Sequence, residues 1–297
     1  MDSQAAVLKA QLTVPRVAWP TLGLFVGSMA LWLSAVWAVG VGALEMAWGT
    51  LAATVAMHGL FTVMHDASHY SLARRRCVNE VVGRVCGSAF LRAFVGFRYI
   101  HLQHHKHTND PDRDPDTWSG TGPSWQLPFR WVTQDVIYRR FYRRHWSRRP
   151  RAERLELVAV SVLEYGAILA CLWAGLGWEV LCLWVLPAKI TLTALAYTFD
   201  YLPHRPHTVT AAEDRYRTTS VAPGALFALL TCYQNLHGVH HLYPAAPFYR
   251  YGRIWRSHGA RLQARGMQVR VPSWRAHGEA TVRPVEPTFE AGGLARI

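Results

Sequence analysis

The sequence predicts an all-α integral membrane protein with four transmembrane helices, arranged as two hairpins, and a cytoplasmic helical cap. Three observations lead to this prediction. Four stretches of about 20 residues are apolar enough to cross a hydrocarbon core about 30 Å thick. Two short turns without Lys or Arg join these stretches in pairs. Arginine clusters lie beyond the opposite ends of the stretches.

The first hairpin is predicted from residues 17–38 and 46–64. The first stretch carries no charge, and the second has no ionisable side chain besides His58. Residues 39–44, which are rich in Gly, supply the turn between them. The first stretch is too long for the apolar part of a signal peptide, and no small-residue cleavage site follows it. We therefore expect it to remain as a helix.

The second hairpin is predicted from residues 155–174 and 178–199. Each of these stretches contains only two charged residues, and the Gly-Leu-Gly sequence at 175–177 forms the turn between them. Four crossings place both termini on the same side of the membrane.

The distribution of arginine predicts which side that is. Arg74, Arg75 and Arg76 follow the second stretch. Eight more arginines precede the third stretch: Arg139, Arg140, Arg143, Arg144, Arg148, Arg149, Arg151 and Arg154. Basic loops mark the cytoplasmic side. We therefore expect cytoplasmic termini, a cytoplasmic central loop and insertion in the cell (inner) membrane, with lipid headgroups as the anionic partners.

The composition agrees with a membrane protein. There are 32 Lys and Arg residues against 19 Asp and Glu residues, a net charge of +13, yet only 17% of residues are charged and 51% are hydrophobic. Because the basic residues flank apolar stretches, we expect no nucleic-acid partner. The five cysteines contain no CxxC pair, which argues against a disulfide framework or a zinc ribbon.

The chain is expected to divide into three regions: a cytoplasmic N-terminal segment (1–16), a membrane domain (17–265) and a loosely structured C-terminal tail (266–297). Residues 83–97 predict a helix lying at the membrane interface, because they are apolar but interrupted by Arg84 and Arg92. Residues 109–128 are rich in Asp, Pro, Gly and Ser and predict an irregular loop.

Histidines form four groups on the predicted cytoplasmic side: His65 and His69; His101, His104 and His105, followed by His107; His204 and His207; and His237, His240 and His241. Helical residues at i, i+3 and i+4 share a face, so each HxxxH or HxxHH group can direct imidazoles at one point. Two HxxHH groups and one HxxxH at matching depth indicate metal binding, since neutral imidazoles bind borderline metal ions and protonated imidazoles repel one another.

The number of histidines indicates how many metal ions the chain binds. Eight or nine histidines are too many for one ion and suit two. Imidazole suits Fe, Cu and Zn, so the spacing alone does not choose the element. The sequence lacks HExxH, which argues against a zinc protease.

These groups resemble the histidine boxes of the membrane fatty acid desaturase and hydroxylase superfamily, whose pattern is HxxxH, HxxHH and HxxHH. The resemblance covers about residues 20–260. The strings HDASH, HLQHHKHTNDPDRDPD, DYLPHRPH and NLHGVHHLYPAAPFYRY are similar, more specifically, to the desaturase-like β-carotene 3-hydroxylases. Acyl desaturases share only the boxes.

The resemblance implies a non-haem centre of two iron ions (Fe2+/Fe3+), O2 as co-substrate, and a separate electron donor such as ferredoxin with its reductase. The implied ligands are nine histidines: His65, His69, His101, His104, His105, His204, His237, His240 and His241. Acyl-CoA desaturases of this fold carry an NxxxH pair before the third box, and Asp200 and His204 stand at the matching place here. Asp200 then either binds a metal ion through water or orients a ligand.

Other residues near the boxes have alternative roles. His207 is the rival ninth ligand, and His107 either supports the second box or contacts the acidic loop. The four aspartates of that loop either accept hydrogen bonds from ligand histidines or form a solvated turn: Asp110, Asp112, Asp114 and Asp116.

The resemblance implies oxidation of an unactivated C–H bond in an apolar lipid substrate, a carotenoid or an acyl chain. From the strings outside the boxes we expect hydroxylation of the β-carotene ring at carbon 3, which forms zeaxanthin. The alternative is an acyl-lipid or fatty acid desaturase. A carotenoid ketolase is disfavoured because its first box typically reads HDAMHG rather than HDASHY. A metal transporter is disfavoured because the histidines gather at helix ends.

Overall fold

The computed structural model describes residues 3–270, with side chains from residue 8 onward. The two-residue strands β1 (Ser220–Val221) and β2 (Gln268–Val269) pair in parallel. The described residues form thirteen α-helices: α1 (Ser3–Leu12), α2 (Trp19–Gly40), α3 (Met46–Ser68), α4 (Arg76–Ala89), α5 (Phe94–His107), α6 (Thr117–Gly120), α7 (Leu127–Arg144), α8 (Arg151–Trp173), α9 (Gly177–Val180), α10 (Leu186–Leu195), α11 (Ala225–Leu230), α12 (His237–Leu242) and α13 (Tyr251–Ala264).

Four helices are long and apolar enough to cross a membrane, which confirms the predicted four-helix fold. They are α2, α3, α8 and the continuous stretch Gly177–Tyr201. That stretch joins α9 and α10 with two π-helical segments, the second of which is Ala196–Tyr201. The second predicted span ends at residue 64, whereas α3 continues to Ser68 and so carries His65 on the helix itself.

α3 is the central helix of the bundle. It packs against α2, α4, α5 and α10. Met57, Leu60 and Met64 are fully buried on it, and burial of each such side chain contributes about 1.5–3 kcal/mol. α8, by contrast, buries only Glu164 and directs large apolar side chains outward, as a lipid-facing helix does.

The start of α2 is fixed to the end of α3. The hydroxyl of Thr21 donates to Asp66 Oδ2 over 2.9 Å. The amide of Ala18 donates to the carbonyl of Leu72 over 2.7 Å. The same helix end carries the first histidine box, so the hairpin positions that box. The cytoplasmic location of this end stays a prediction.

The prediction of one interfacial helix over residues 83–97 is wrong. α4 ends at Ala89, and α5 begins at Phe94. Leu91, between them, has a φ of 53°, and the amides of Phe90 and Arg92 both donate to the carbonyl of Gly87. The residues of this corner are apolar apart from Arg92, so the hydrophobic pattern does not reveal it.

The structure describes all of one predicted irregular segment, which is partly confirmed, and only the first residues of a second one. Residues 109–128 are mostly turns, although α6 and the first residues of α7 lie within them. The predicted tail begins at residue 266, yet β2 pairs with β1, and the amide of Arg270 donates to the carbonyl of Val221. Residues 271–297 of that tail lie outside the described residues.

Gly87 allows the corner between α4 and α5. A Cβ atom there would lie 2.6 Å from the carbonyl oxygen of Arg92, which is backbone and cannot rotate away. We predict that Gly87→Ala destabilises the protein by about 1–3 kcal/mol, the usual cost of overpacking. The measurement is the midpoint of thermal unfolding in detergent. The control is Gly27→Ala in α2, where a Cβ atom would meet nothing within 4 Å; equal midpoints for the two variants would contradict the role of Gly87.

Candidate metal centre

Four segments bring the predicted histidines together at one end of the bundle. The end of α3 supplies His65 and, one residue after the helix, His69. α5 supplies the second box, and α12, which begins at His237, supplies the third. His204 follows the π-helical end of the fourth span. All nine predicted ligands lie in two groups of converging side chains.

The first histidine group contains five residues: His65, His69, His101, His105 and His240. Their candidate ligand atoms all lie within 4.8 Å of one another. The Nε2 atoms of His69 and His101 are 2.8 Å apart, as are those of His105 and His240. The Nε2 atoms of His65 and His240 are 3.1 Å apart. Five ring nitrogens therefore point at one small space.

The second histidine group contains four buried residues: His104, His204, His237 and His241. The Nε2 atom of His237 lies 3.0 Å from those of both His204 and His241. The Nε2 atoms of His104 and His241 are 3.2 Å apart. Each group thus offers the four or five nitrogen ligands that one transition-metal ion takes.

Burial keeps most of these rings in the neutral form that binds metal ions. Burial, with the neighbouring charge of His104, lowers the pKa of His69 to about 3. Burial also holds the pKa of His105, His237 and His241 well below the ordinary value. Neutral imidazoles that aim their nitrogens at one point fit a shared cation, because a cation accepts all their lone pairs at once.

His104 differs because two carboxylates face its other nitrogen. Its Nδ1 lies 2.8 Å from Asp114 Oδ1 and 3.2 Å from Asp116 Oδ2. Burial alone would lower the pKa of His104, but the two carboxylates outweigh it and raise the pKa to about 9. A hydrogen bond from Nδ1 fixes the ring and leaves Nε2 directed at the second group, as is usual for metal-binding histidines. Of the four loop aspartates, these two therefore contact a predicted ligand.

Two tyrosines support the centre and were missed by the sequence analysis. The hydroxyl of Tyr251 lies 2.8 Å from Nδ1 of His240. The hydroxyl of Tyr138 lies 2.8 Å from Asp116 Oδ1 and 3.0 Å from Asp200 Oδ2. Tyr138 is 62 residues from Asp200, so no local spacing marks it. Tyr251 follows His240 by 11 residues and ends the NLHGVHHLYPAAPFYRY string, which was the available signal. Asp200 joins neither histidine group and lies behind Asp116, through Tyr138.

The two remaining predicted candidates lie outside both histidine groups. His207 directs Nε2 at the hydroxyl of Ser220, 2.7 Å away. His107 lies at the end of α5, partly exposed and close to the acidic loop. The geometry therefore favours His204 over His207 as the ninth ligand.

Comparisons with known proteins agree with this geometry. The family model described as fatty acid desaturase matches residues 43–273. A β-carotene ketolase from Paracoccus sp. is 31% identical over 210 residues, which cover 68% of this chain and 75% of that protein. A zeaxanthin 4-ketolase from Chlamydomonas reinhardtii is 29% identical over 245 residues, 78% of this chain and 49% of the relative.

A third relative acts on acyl lipids. An sn-1 oleoyl-lipid 12-desaturase from Synechocystis sp. is 27% identical over 261 residues, 75% of this chain and 72% of the relative. The chain thus spans between about half and three quarters of the length of these three relatives.

Asp114 is predicted to strengthen metal binding through His104. Asp114→Asn replaces the carboxylate that accepts from Nδ1, so we expect the affinity for a divalent metal ion to fall about 10- to 100-fold. Cobalt(II) titration followed by visible absorption measures the affinity. The control is Asp110→Asn in the same loop, whose carboxylate accepts from Arg113 instead. Equal affinities in both variants would show that Asp114 does not act on the metal centre.

His204 and His207 are distinguished by metal content. Loss of one ligand from a four-histidine group leaves an incomplete site, so His204→Ala should bind about one metal ion fewer per chain. His207→Ala should bind as many as the unaltered protein. Elemental analysis of the purified proteins gives both values, and the reverse result would make His207 the ninth ligand.

Proposed function

Because the chain belongs to the fatty acid desaturase family, we propose that it is an O2-dependent oxygenase with two iron ions. The proposed reaction is hydroxylation of β-carotene, an apolar membrane substrate, at ring carbon 3. The observation that carries the proposal is the convergence of nine histidines into two groups at one end of the four-helix bundle. Iron bound by these groups would activate O2 to remove a hydrogen from an unactivated C–H bond. The expected product is zeaxanthin.

Aromatic side chains shield the first histidine group. The ring of Phe97 stacks on His101 with 5.6 Å between centroids. The ring of Phe199 lies roughly perpendicular to that of His65 in the first group and to that of His237 in the second. The ring centroids are 5.2 Å and 4.4 Å apart, respectively. Phe61, Phe97 and Phe199 also line a cavity of about 40 Å³ that reaches His101, here called the inner cavity. These rings exclude water and present the reacting carbon of an apolar substrate to the centre.

The relatives favour a carotenoid or an acyl lipid as substrate. The ketolases named above act on β-carotene or zeaxanthin, which supports a carotenoid ring as the substrate here. They also make ketolation the second candidate reaction, although the first box HDASHY argued against it. The oleoyl-lipid desaturase supports acyl desaturation as the third candidate. The same histidines serve all three reactions, so residues outside the boxes must decide among them.

Hydroxylation requires a source of electrons. Each turnover consumes one O2, two electrons and two protons, and yields the alcohol and one water. We expect a separate ferredoxin or similar protein, with its reductase, to supply the electrons from the cytoplasm. Arg143 and Arg144 at the end of α7 are exposed and suit an acidic donor. We propose that the protein lies in the cell (inner) membrane with its termini and active site on the cytoplasmic side, where a soluble donor could reach these arginines.

Product analysis tests the reaction. We expect expression in a host that makes β-carotene to yield carotenoids that carry one or two additional hydroxyl oxygens. His104→Ala, which removes a predicted ligand, should yield none. Liquid chromatography with mass spectrometry separates the candidates, because a ketone gains one oxygen and loses two hydrogens per ring. Unchanged carotenoids together with acyl chains lighter by two hydrogens would replace hydroxylation with desaturation.

Reversal of charge tests the docking of the electron donor. We predict that Arg143→Glu with Arg144→Glu slows reduction by an acidic ferredoxin about tenfold at low salt, and that added salt narrows the difference. The control carries Arg253→Glu and Arg256→Glu on α13. These two arginines are also exposed, and their replacement changes the net charge by the same amount. Stopped-flow spectroscopy gives the rates. Equal rates for the two double variants would place donor docking elsewhere.

A further inference from the structure

Two cavities meet beside the first histidine group. The inner cavity reaches His101, and an outer cavity of about 210 Å³ lies between α5, α7 and α8. The outer cavity is lined by residues that are absent from the inner one, among them Trp146 and Leu157 on α8. Four residues line both cavities: Arg92, Phe97, Ile100 and Tyr138. These four residues therefore form the boundary between the two cavities, and a substrate that reached His101 from the outer cavity would pass them.

Arg92 is the charged residue at this boundary. It lies in the corner between α4 and α5, and its guanidinium carbon is 5.6 Å from the centroid of the Tyr138 ring. Its Nε and Nη2 atoms are buried, and neither has a hydrogen-bond partner among the described residues. A buried donor without an acceptor is costly, whereas a ligand oxygen placed there removes that cost. The guanidinium is thus available to a molecule in the cavities.

The charges around Arg92 favour a neutral acceptor. Three carboxylates line the inner cavity, those of Asp116, Asp135 and Asp200. Asp135 Oδ1 accepts from Lys189 Nζ over 2.7 Å, and Asp200 Oδ2 accepts from the hydroxyl of Tyr138. Burial and the nearby charge of Arg139 lower the pKa of Arg92, whereas the charges of Asp135 and Asp200 act in the opposite direction without bonding to its Nε or Nη2. Because these two carboxylates already offset the charge of the guanidinium, its free donors need only a neutral acceptor, such as a ketone or ester oxygen.

We propose that Arg92 determines substrate specificity by donating hydrogen bonds to a neutral oxygen atom on the otherwise apolar substrate. The inference rests on the proposed function, because it specifies which apolar molecule enters the same site. The oxygen is a ring ketone of a carotenoid, or the ester carbonyl of an acyl lipid. For a carotenoid, a prior ring ketolation must supply the preferred substrate. A site with unpaired donors binds the hydrocarbon analogue more weakly, because those donors are left without partners, so β-carotene is accepted but is the poorer substrate.

Binding measurements on the full-length, iron-loaded chain in detergent test the proposal without turnover, under nitrogen and without reductant. Immobilised protein is equilibrated with one of two ligand pairs, a 4-ketone of β-carotene against β-carotene and methyl stearate against octadecane. Retained ligand is quantified by liquid chromatography with mass spectrometry. The variants are Arg92→Met and Arg92→Lys. The matched control is Arg140→Met, an exposed arginine of α7 that lines neither cavity.

The expected result is a preference of about tenfold or more for the oxygen-bearing member of a pair in the unaltered protein and in Arg140→Met. Arg92→Met should bring that ratio towards one and leave hydrocarbon binding unchanged. An Arg92-dependent preference in the ester pair, with no carotenoid bound, would retain the role of Arg92 and reject the carotenoid as substrate. No Arg92-dependent preference in either pair would overturn the proposal, whichever product the enzyme forms.

Circular dichroism checks that Arg92→Met remains folded. If it does not, Arg92→Lys decides, because Lys keeps the charge but loses the planar set of donors. A ratio lowered about threefold or more in Arg92→Lys supports the proposal. An unchanged ratio overturns it.

Discussion

The main physical demand on this fold is that nine imidazoles lie close together with their nitrogens converging. Ring nitrogens about 3 Å apart cannot all carry protons, and their lone pairs repel when none does. Metal ions relieve this repulsion, but only if the protein holds the rings in place before the ions bind. The fold must therefore supply rigid attachment for four separate segments at one end of the bundle. Most of the buried polar contacts near the centre serve that requirement.

Asp66 illustrates how the attachment is made. It lies inside the first box, next to His65, yet its carboxylate faces away from the histidine groups. Its Oδ2 accepts from the hydroxyl of Thr21 on α2, and its carboxylate also accepts from the amide of Phe248, which precedes α13. One buried side chain thus joins the first hairpin to the segment after the third box. The Asp of the HDASH string holds elements together, while the histidines on either side of it face the centre.

Sequence patterns could predict the spans and the converging histidines because both depend on local spacing. Apolar runs and Arg-rich flanks identified four helices, and the i, i+3 and i+4 spacing identified eight of the nine grouped histidines. His204 required a resemblance, since its pairing with His207 does not say which of the two is a ligand. Tyr138 could not be predicted, because its contact with Asp200 joins residues 62 positions apart, and Tyr251, although only 11 residues after His240, stands at no metal-ligand spacing. The corner at Leu91 was missed because a left-handed residue leaves no trace in hydropathy.

The separation of ligands from cavity residues explains how one family accommodates different reactions. The histidine groups determine that a C–H bond can be oxidised, and ketolases and desaturases are both similar to this chain. Hydroxylation and desaturation differ only in the step after the first hydrogen is removed, so the position of the carbon relative to the centre decides between them. Under the proposed function, the walls of the inner cavity would set that position. Phe199, one of these wall residues, also contacts both histidine groups, through His65 and His237, so a change at Phe199 would alter the substrate position and the centre together.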